Sequence, residues 1–538
     1  MNKVLIAAML LMLQASVFAA QPKLILQITV DQLRGDLLHR YQKNFINKRN
    51  RKGFNRFLEQ GVIYTNTHYR HAATLTAVGH ATLATGALPS QHGIIANDWY
   101  DVVSGQKMYC VADAQTSLLN EEGYSASPAN LKASTFSDQL HFATTGKAKI
   151  YSVSIKDRGA VLTGGHFGKS FWYNKSSGNF VTSSYYFDEL PSWVIDFNQS
   201  GLKDSYLGAQ WKLSLPAEQY HNNAKNRLYQ IPPKGFQRGF PHNLPKMTSP
   251  SYYRMLTYTP FGDAMTIAFA KHIITTHELG KDDIPDYLSV SFSVNDYVGH
   301  NFGPNSIEAE DNLIKLDAQL AELFYFLDKG IGMENVLIVL SADHGVDAIP
   351  EYKASLGFAG LRANIADTIS DIGAQLADEF ELDQNIVKAA VLPNVYLDYD
   401  VLNNADLDVS DMRERLAAEI EAIEGIAQAL TYDTMQEKRV SLDPRRNQMI
   451  NNFMARRSGD ITLIQDTSTM TGNYAAATHG SPYRYDTHVP MYFAGWNLKP
   501  KRVTRLASPE DVAVTLSSIL AIGVPDKATG TILPEIAQ

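Results

Sequence analysis

Cysteine is almost missing from this chain: Cys110 is the single one in 538 residues. No intramolecular disulfide can form, so the fold must be held by its apolar core, by bound metal, or by both. The neighbours of Cys110 in KMYCVAD are largely apolar, which predicts a buried, inert thiol. Beyond the extreme N-terminus no run of about 20 apolar residues occurs, and no membrane-spanning helix is expected. An excess of basic residues is lacking too. The formal net charge is −8, which argues against a nucleic-acid partner and against an anionic membrane surface. Repeats and low-complexity segments are absent as well.

What is present is an ordinary globular composition, 45% apolar and 19% charged. The length exceeds the usual span of roughly 100–200 residues per domain, which predicts one large domain with insertions or two to three domains. The opening MNKVLIAAMLLMLQASVFAA reads as a secretory signal peptide over residues 1–19. Lys3 precedes an apolar stretch, and Val17 and Ala19 occupy the small-residue positions before the cut. A periplasmic or secreted protein is expected, with residues 20–538 forming the folded part.

Four segments read as buried strands: Lys23 to Val30, Lys149 to Ile155, Asp286 to Phe292 and Asn335 to Leu340. Their near-continuous apolar character, separated by helical patterns such as Asn305 to Gly330, predicts an α/β fold. The expected architecture is a mostly parallel central sheet covered by helices on both faces. Two stretches fit the alternation poorly. Residues around 165–260, rich in Tyr, Trp, Asn, Ser and Pro, read as a cap insertion. Residues around 380–450 read as a smaller α+β insertion.

Ligands of open α/β sheets bind beyond the carboxyl ends of the strands, so the residues after each strand carry the functional signal. Asp31 follows the first strand. Asp296 and His300, one helical turn apart, follow the third. Asp343 and His344 follow the fourth, in SADHG. Asp caps helices and opens turns, so one such ending means little; three from distant parts of the chain point to a metal centre. A late segment, AAATHGSPYRYDTHVP, adds His479 and His488. Mixed carboxylate and imidazole donors suit zinc, and six of them suit a catalytic metal pair. TLTAVGHATLATG, from Thr74 to Gly86, predicts a short helix with a threonine hydroxyl at its positive end. Thr74, Thr76 and Thr82 all qualify by position.

Together ITVDQLRGD, TAVGHATLATGALPSQHGIIANDWY, SIKDRGAV, SVNDYVGHNFGP, LSADHGV and THGSPYRYDTHVP resemble the alkaline phosphatase superfamily. The likeness is to its bacterial phosphate-irrepressible alkaline phosphatases, which use a threonine nucleophile. The resemblance implies two zinc ions per chain. Asp296, His300 and His479 would hold one; Asp31, Asp343 and His344 would hold the other, which also touches the nucleophile Thr76. It implies that Asn97, Lys156 and Arg158 bind the phosphoryl oxygens, with Lys156 and Arg158 on one side of an extended segment and Asp157 turned away. His488 is left as structural, as are Arg34, Asp36, His71, His92 and His166. The implied substrates are small-molecule phosphate monoesters, hydrolysed by a phosphoric monoester hydrolase through a phosphothreonine, with a monomer favoured. The alternatives are a nucleotide pyrophosphatase/phosphodiesterase of the same superfamily and a non-catalytic secreted binding protein. The cap around 165–260 is expected to shape the choice of alcohol.

Overall fold

The computed structural model describes residues 21–49, 51–222 and 228–537; the signal-peptide reading lies outside the described residues. Every residue of β1 (Leu24–Val30) is buried. A strand covered on both faces must be apolar on both, and each fully buried Leu, Ile or Val there contributes roughly 1.5–3 kcal/mol of transfer free energy. The remaining strands of the central sheet are β2 (Val62–Tyr64), β3 (Ile150–Ser154), β4 (Lys169–Tyr173), β5 (Phe180–Val181), β6 (Asp286–Phe292), β7 (Val336–Ser341), β8 (Met491–Gly495) and β9 (Lys501–Val503). Their order across the sheet is β9-β2-β8-β7-β1-β6-β3-β4-β5. The central five, β7-β1-β6-β3-β4, run parallel, while β8 is antiparallel to β7.

Five helices matter for the site: α1 (Thr76–Thr85), α2 (Asp157–Gly164), α3 (Pro260–Thr276), α4 (Val294–Phe302) and α5 (Ile307–Gly330). Helix α1 stops where expected, at Gly86, whose φ of 64° is the left-handed geometry glycine adopts at little cost. Ser306 caps α5 by accepting a hydrogen bond from the Ala309 N–H, and α5 packs on α3 and α4. The two largest apolar clusters take alternate residues of β1, Leu24, Leu26 and Ile28 in one and Ile25 in the other, and so lie on opposite faces of the sheet.

Both insertions differ in extent from the sequence expectation. The stretch expected to begin a cap at about 165 first supplies β4 and β5 to the central sheet. The segment after them packs over α5 rather than over the strand ends. Trp211 Nε1 donates to Asp311 Oδ2 at 2.6 Å and the Tyr220 hydroxyl donates to Asp311 Oδ1 at 2.5 Å. The second insertion is wider than 380–450. It contains helices Ile365–Glu379 and Val409–Glu421 and a four-stranded sheet in the order Val387–Val391, Asn394–Leu397, Ile461–Gln465, Ile426–Thr431. It has an apolar core of its own, and the pairing of Leu361–Ala363 with Thr469–Thr471 closes its neck. Of its strands only Val387–Val391 is largely uncovered.

Candidate active site

Because β1, β3, β6 and β7 are parallel, their carboxyl ends lie along one edge of the sheet. Asp31 follows β1, Lys156 and Arg158 follow β3, Asp296 and His300 ride on α4 after β6, and Asp343 and His344 follow β7. The antiparallel direction of β8 brings the segment before it, which carries His479, to the same edge. Residues scattered over more than 400 positions of sequence thus meet in one place by topology alone.

The ligand atoms of Asp296, His300 and His479 all lie within 4.8 Å of one another, and so do those of Asp31, Asp296 and His344. Asp296 therefore stands between the two sets. Asp343 backs the second one: its Oδ1 accepts the Gln32 and His344 N–H groups at 3.1 Å each, and its Oδ2 lies 3.4 Å from His344 Nε2.

All three imidazoles are anchored the same way. His300 Nδ1 bonds the Ala477 carbonyl at 2.8 Å, His344 Nδ1 the Gly345 carbonyl at 2.9 Å, and His479 Nδ1 the Thr74 carbonyl at 2.8 Å. A carbonyl only accepts, so each Nδ1 carries the proton and each Nε2 presents a lone pair. Those lone pairs face carboxylate oxygens: His300 Nε2 is 3.2 Å from Asp296 Oδ1, and His344 Nε2 is 3.4 Å from Asp31 Oδ1. Burial holds both His344 and His479 below the usual imidazole range, in the neutral form that ligates metals. Asp31 Oδ1 accepts no hydrogen bond. Acceptors converging on acceptors in a buried space call for a cation, and the donor set fits a pair of divalent metal ions.

One cation is supplied by the chain itself. Lys156 Nζ lies 2.6 Å from both Asp31 Oδ2 and Asp296 Oδ2. Burial works against the ammonium, but Asp296 and Asp31 outweigh it and raise its pKa. Burial likewise pushes Asp296 upward, and the opposite charge around it, that of Lys156 included, holds it well below the usual carboxylate range. Asp31 goes the other way, raised by burial and by the neighbouring Asp296 and Asp343.

Of the three candidate threonines, the structure brings only Thr76 to these groups. Its Oγ1 is 3.5 Å from His344 Nε2 and 3.4 Å from both Lys156 Nζ and Arg158 Nη2. Thr74 Oγ1 donates to the Ser481 carbonyl at 2.8 Å, and Thr82 Oγ1 pairs with His92 Nε2 at 3.2 Å. Thr76 is the first residue of α1, where unpaired backbone N–H groups and the helix dipole favour negative charge. Asn97 Oδ1 accepts the Ala77 N–H at 2.9 Å, which turns its amide nitrogen toward the open site. Close approach of α1 to β7 requires Gly79, since a Cβ there would lie 2.0 Å from the Asp343 carbonyl oxygen.

Lys156 and Arg158 do share one side, but not through an extended segment. Lys156 is the N-cap of α2, and Asp157 and Arg158 form its first turn. Asp157 accepts the Tyr109 hydroxyl at 2.5 Å and also that of Tyr124. Arg158 Nη1 in turn donates to the Tyr109 oxygen at 3.2 Å. Tyr109 thus sets the guanidinium, a role nothing in its sequence context announced. Gln32 is a second such residue. It holds a left-handed φ of 65°, which for a non-glycine residue marks local strain. Its N–H reaches Asp343, and its Nε2 donates to Asp296 Oδ1 at 2.9 Å.

The histidines read as structural lie elsewhere. His488 stacks on His68 with ring centroids 4.9 Å apart, and His166 bonds Asp138. His92 accepts the Ile94 N–H, and His71 packs on the Tyr69 ring. Arg34 and Asp36 pair with each other at 2.7 Å. Cys110 is buried, and burial pushes its thiol up, out of reactive range.

Two cavities flank Thr76. One, of about 400 Å³, is lined by Asn97, His300 and His479 together with residues of the second insertion, including Pro393, Met449 and Ile464, and by Tyr474 just past its neck. The other, of about 330 Å³, is lined by Lys156, Arg158, Tyr109, Tyr124, Trp172 and Lys175, among others. Apart from the short stretch Trp172–Ser176, the expected cap lines neither.

The chain belongs to the type I phosphodiesterase / nucleotide pyrophosphatase family, whose pattern it matches over residues 25–488, within the alkaline phosphatase superfamily. It is 35% identical over 544 residues to alkaline phosphatase PafA of Elizabethkingia meningoseptica, spanning 99% of this chain and 98% of that one. It is 34% identical over 531 residues to a protein of Myroides odoratus named a calcium-transporting ATPase, spanning 96% and 95% of the two chains. The crystal structure of wild-type PafA superposes with a TM-score of 0.89 at 34% identity, over 96% of this chain and 99% of that one. The fold is that of PafA, a mostly parallel central sheet surrounded by helices with small extra sheets. These likenesses support a phosphoric monoester hydrolase.

Proposed function

We propose that this protein is an exported zinc-dependent alkaline phosphatase that hydrolyses phosphate monoesters through a phosphothreonine at Thr76. The observation that carries this reading is the approach of Lys156 Nζ and Arg158 Nη2, each 3.4 Å from the Thr76 hydroxyl. A monoester brings about two negative charges on three non-bridging oxygens, and a lysine beside an arginine fork answers a charge of that size. A diester has one charge fewer, and an alkyl group where its third oxygen would meet the clamp. A nucleotide phosphodiesterase would have little use for this pair.

Zinc held by Asp296, His300 and His479, and by Asp31, Asp343 and His344, would supply Lewis-acid charge at the attacking and leaving oxygens. The chain itself does the rest. Lys156, Arg158 and the N-terminus of α1 favour the ionised form of Thr76. Its Oγ1 attacks phosphorus in line, the P–O bond to the alcohol breaks, and the alcohol leaves with a proton from solvent. Asn97 and Arg158 hold the equatorial oxygens where charge gathers. Water then attacks the phosphothreonine, which frees phosphate and restores the hydroxyl.

The test is hydrolysis of p-nitrophenyl phosphate beside its bis ester, with and without chelator. Monoester turnover should dominate, vanish on chelation, and return with zinc better than with magnesium. Metal analysis should find two zinc ions per chain. Active enzyme without zinc, or faster diester turnover, would sink the reading.

A further inference from the structure

The cavity of about 400 Å³ beside His300 and His479 carries a chemical signature of its own. None of the side chains lining it is a lysine, arginine, aspartate or glutamate. Its wall is mixed, with Leu392, Pro393, Met449 and Ile464 beside the polar Thr471 and Tyr474. Across Thr76 the other cavity is lined by Lys156, Arg158 and Lys175 on one side of the charge balance and Glu122 and Asp157 on the other.

Direction of attack decides which cavity receives the alcohol. Thr76 Oγ1 lies against His344, Lys156 and Arg158. In-line displacement puts the leaving oxygen on the side of phosphorus away from the nucleophile. Of the two ligand sets, the second reaches Thr76 Oγ1 through His344, while the set of Asp296, His300 and His479 makes no hydrogen bond to it, and the cavity without charged side chains opens beside His300 and His479. A site of this volume is at the lower end of those that enclose a whole small ligand. Burying a charged substituent against a wall with no counter-charge is costly, whereas an aromatic or apolar face gains contact area there.

We propose that this cavity is the leaving-group subsite, that the second insertion builds it, and that it selects an uncharged alcohol of aryl or nucleoside size. The proposal rests on the phosphatase reading above. Tyr474, 72% exposed at the lip, offers a ring face to such an alcohol. Thr471 stands on the strand that closes the insertion's neck and lines the same wall.

The experiment compares kcat/KM for phenyl phosphate and 4-carboxyphenyl phosphate, using the ratio between variants so that leaving-group chemistry cancels. The wild type should favour the neutral ester. Thr471→Lys should move the ratio toward the carboxylated ester by roughly 2–5-fold, as a new partly exposed ion pair would. Tyr474→Ala should weaken competitive inhibition by benzylphosphonate relative to methylphosphonate by roughly 3–10-fold, the worth of one aromatic contact. A general defect of folding or metal loading lowers both members of each pair and moves neither ratio. A wild type that hydrolyses both esters, with both ratios unmoved by these variants, overturns the subsite. So does a substrate ratio that responds to Lys175→Ala instead, since the alcohol would then lie in the charged cavity. A wild type that hydrolyses neither ester overturns the phosphatase reading itself.

Discussion

The two flanks of Thr76 are built from different material. On one side, two cations stand on the central fold at the end of β3, braced by Tyr109, Asp157 and Tyr297. On the other, neutral side chains from an inserted α+β unit face the imidazoles. Tyr297 shows how closely the charged side is knit: Lys156 and Lys175 lie 5.2 and 4.5 Å from its ring centroid, and Lys175 Nζ donates to its hydroxyl at 2.7 Å. The difference teaches where each kind of selectivity resides. On the proposed function, recognition of the phosphoryl group would be written into the sheet edge, where little can move without disturbing the core. Recognition of the alcohol would fall to an insertion with its own apolar core.

The largest expected effect removes the point that both flanks serve. Thr76→Ala should cut turnover by several powers of ten on every ester while leaving zinc content nearly intact, since the covalent route is lost. Thr76→Ser should keep much of the activity. Acid-quenched enzyme labelled on Thr74 or Thr82 instead would overturn the choice.

Breaking the charged flank comes next. Lys156→Ala combined with Arg158→Ala should depress kcat/KM for a monoester by roughly 10²–10⁴, the equivalent of about 3–5 kcal/mol for lost charge pairing, and diester hydrolysis far less. Equal losses on both esters would mean that the pair supports the fold or the metal ligands, and the contrast between the flanks would collapse.

A smaller change sharpens the contrast. Tyr109→Phe keeps the ring and loses the hydroxyl that links Asp157 to Arg158. Since a hydrogen bond to a charged group contributes about 1.5–3 kcal/mol, monoester kcat/KM should fall by roughly 10–100-fold. The preference between neutral and carboxylated aryl esters should not move, because the alcohol lies on the other side. A shift in that preference would join the two flanks into one site. The smallest effect is expected at His488→Ala: its ring meets His68 and the Thr65 carbonyl, and its removal should cost far less activity than His344→Ala. The reverse order would exchange the late ligands.

Sequence alone carried the fold class, because strands buried on both faces are rich in Leu, Ile, Val and Phe with only small or few polar residues between them, and β1, β3, β6 and β7 announce themselves that way. It also carried the residues at the strand ends, because Asp and His there stand out against that background, and family resemblance could sort them. It could not show that Asp296 stands between both ligand sets, because that depends on how α4 leaves β6. It could not show the left-handed Gln32 or the service of Tyr109 to Arg158. A backbone angle and a contact across 49 positions leave no local trace. Nor could it tell that the segment after β5 packs on α5 while the later insertion reaches the mouth of the site. Composition records what a segment can bury; only the packed chain decides which face it is buried against.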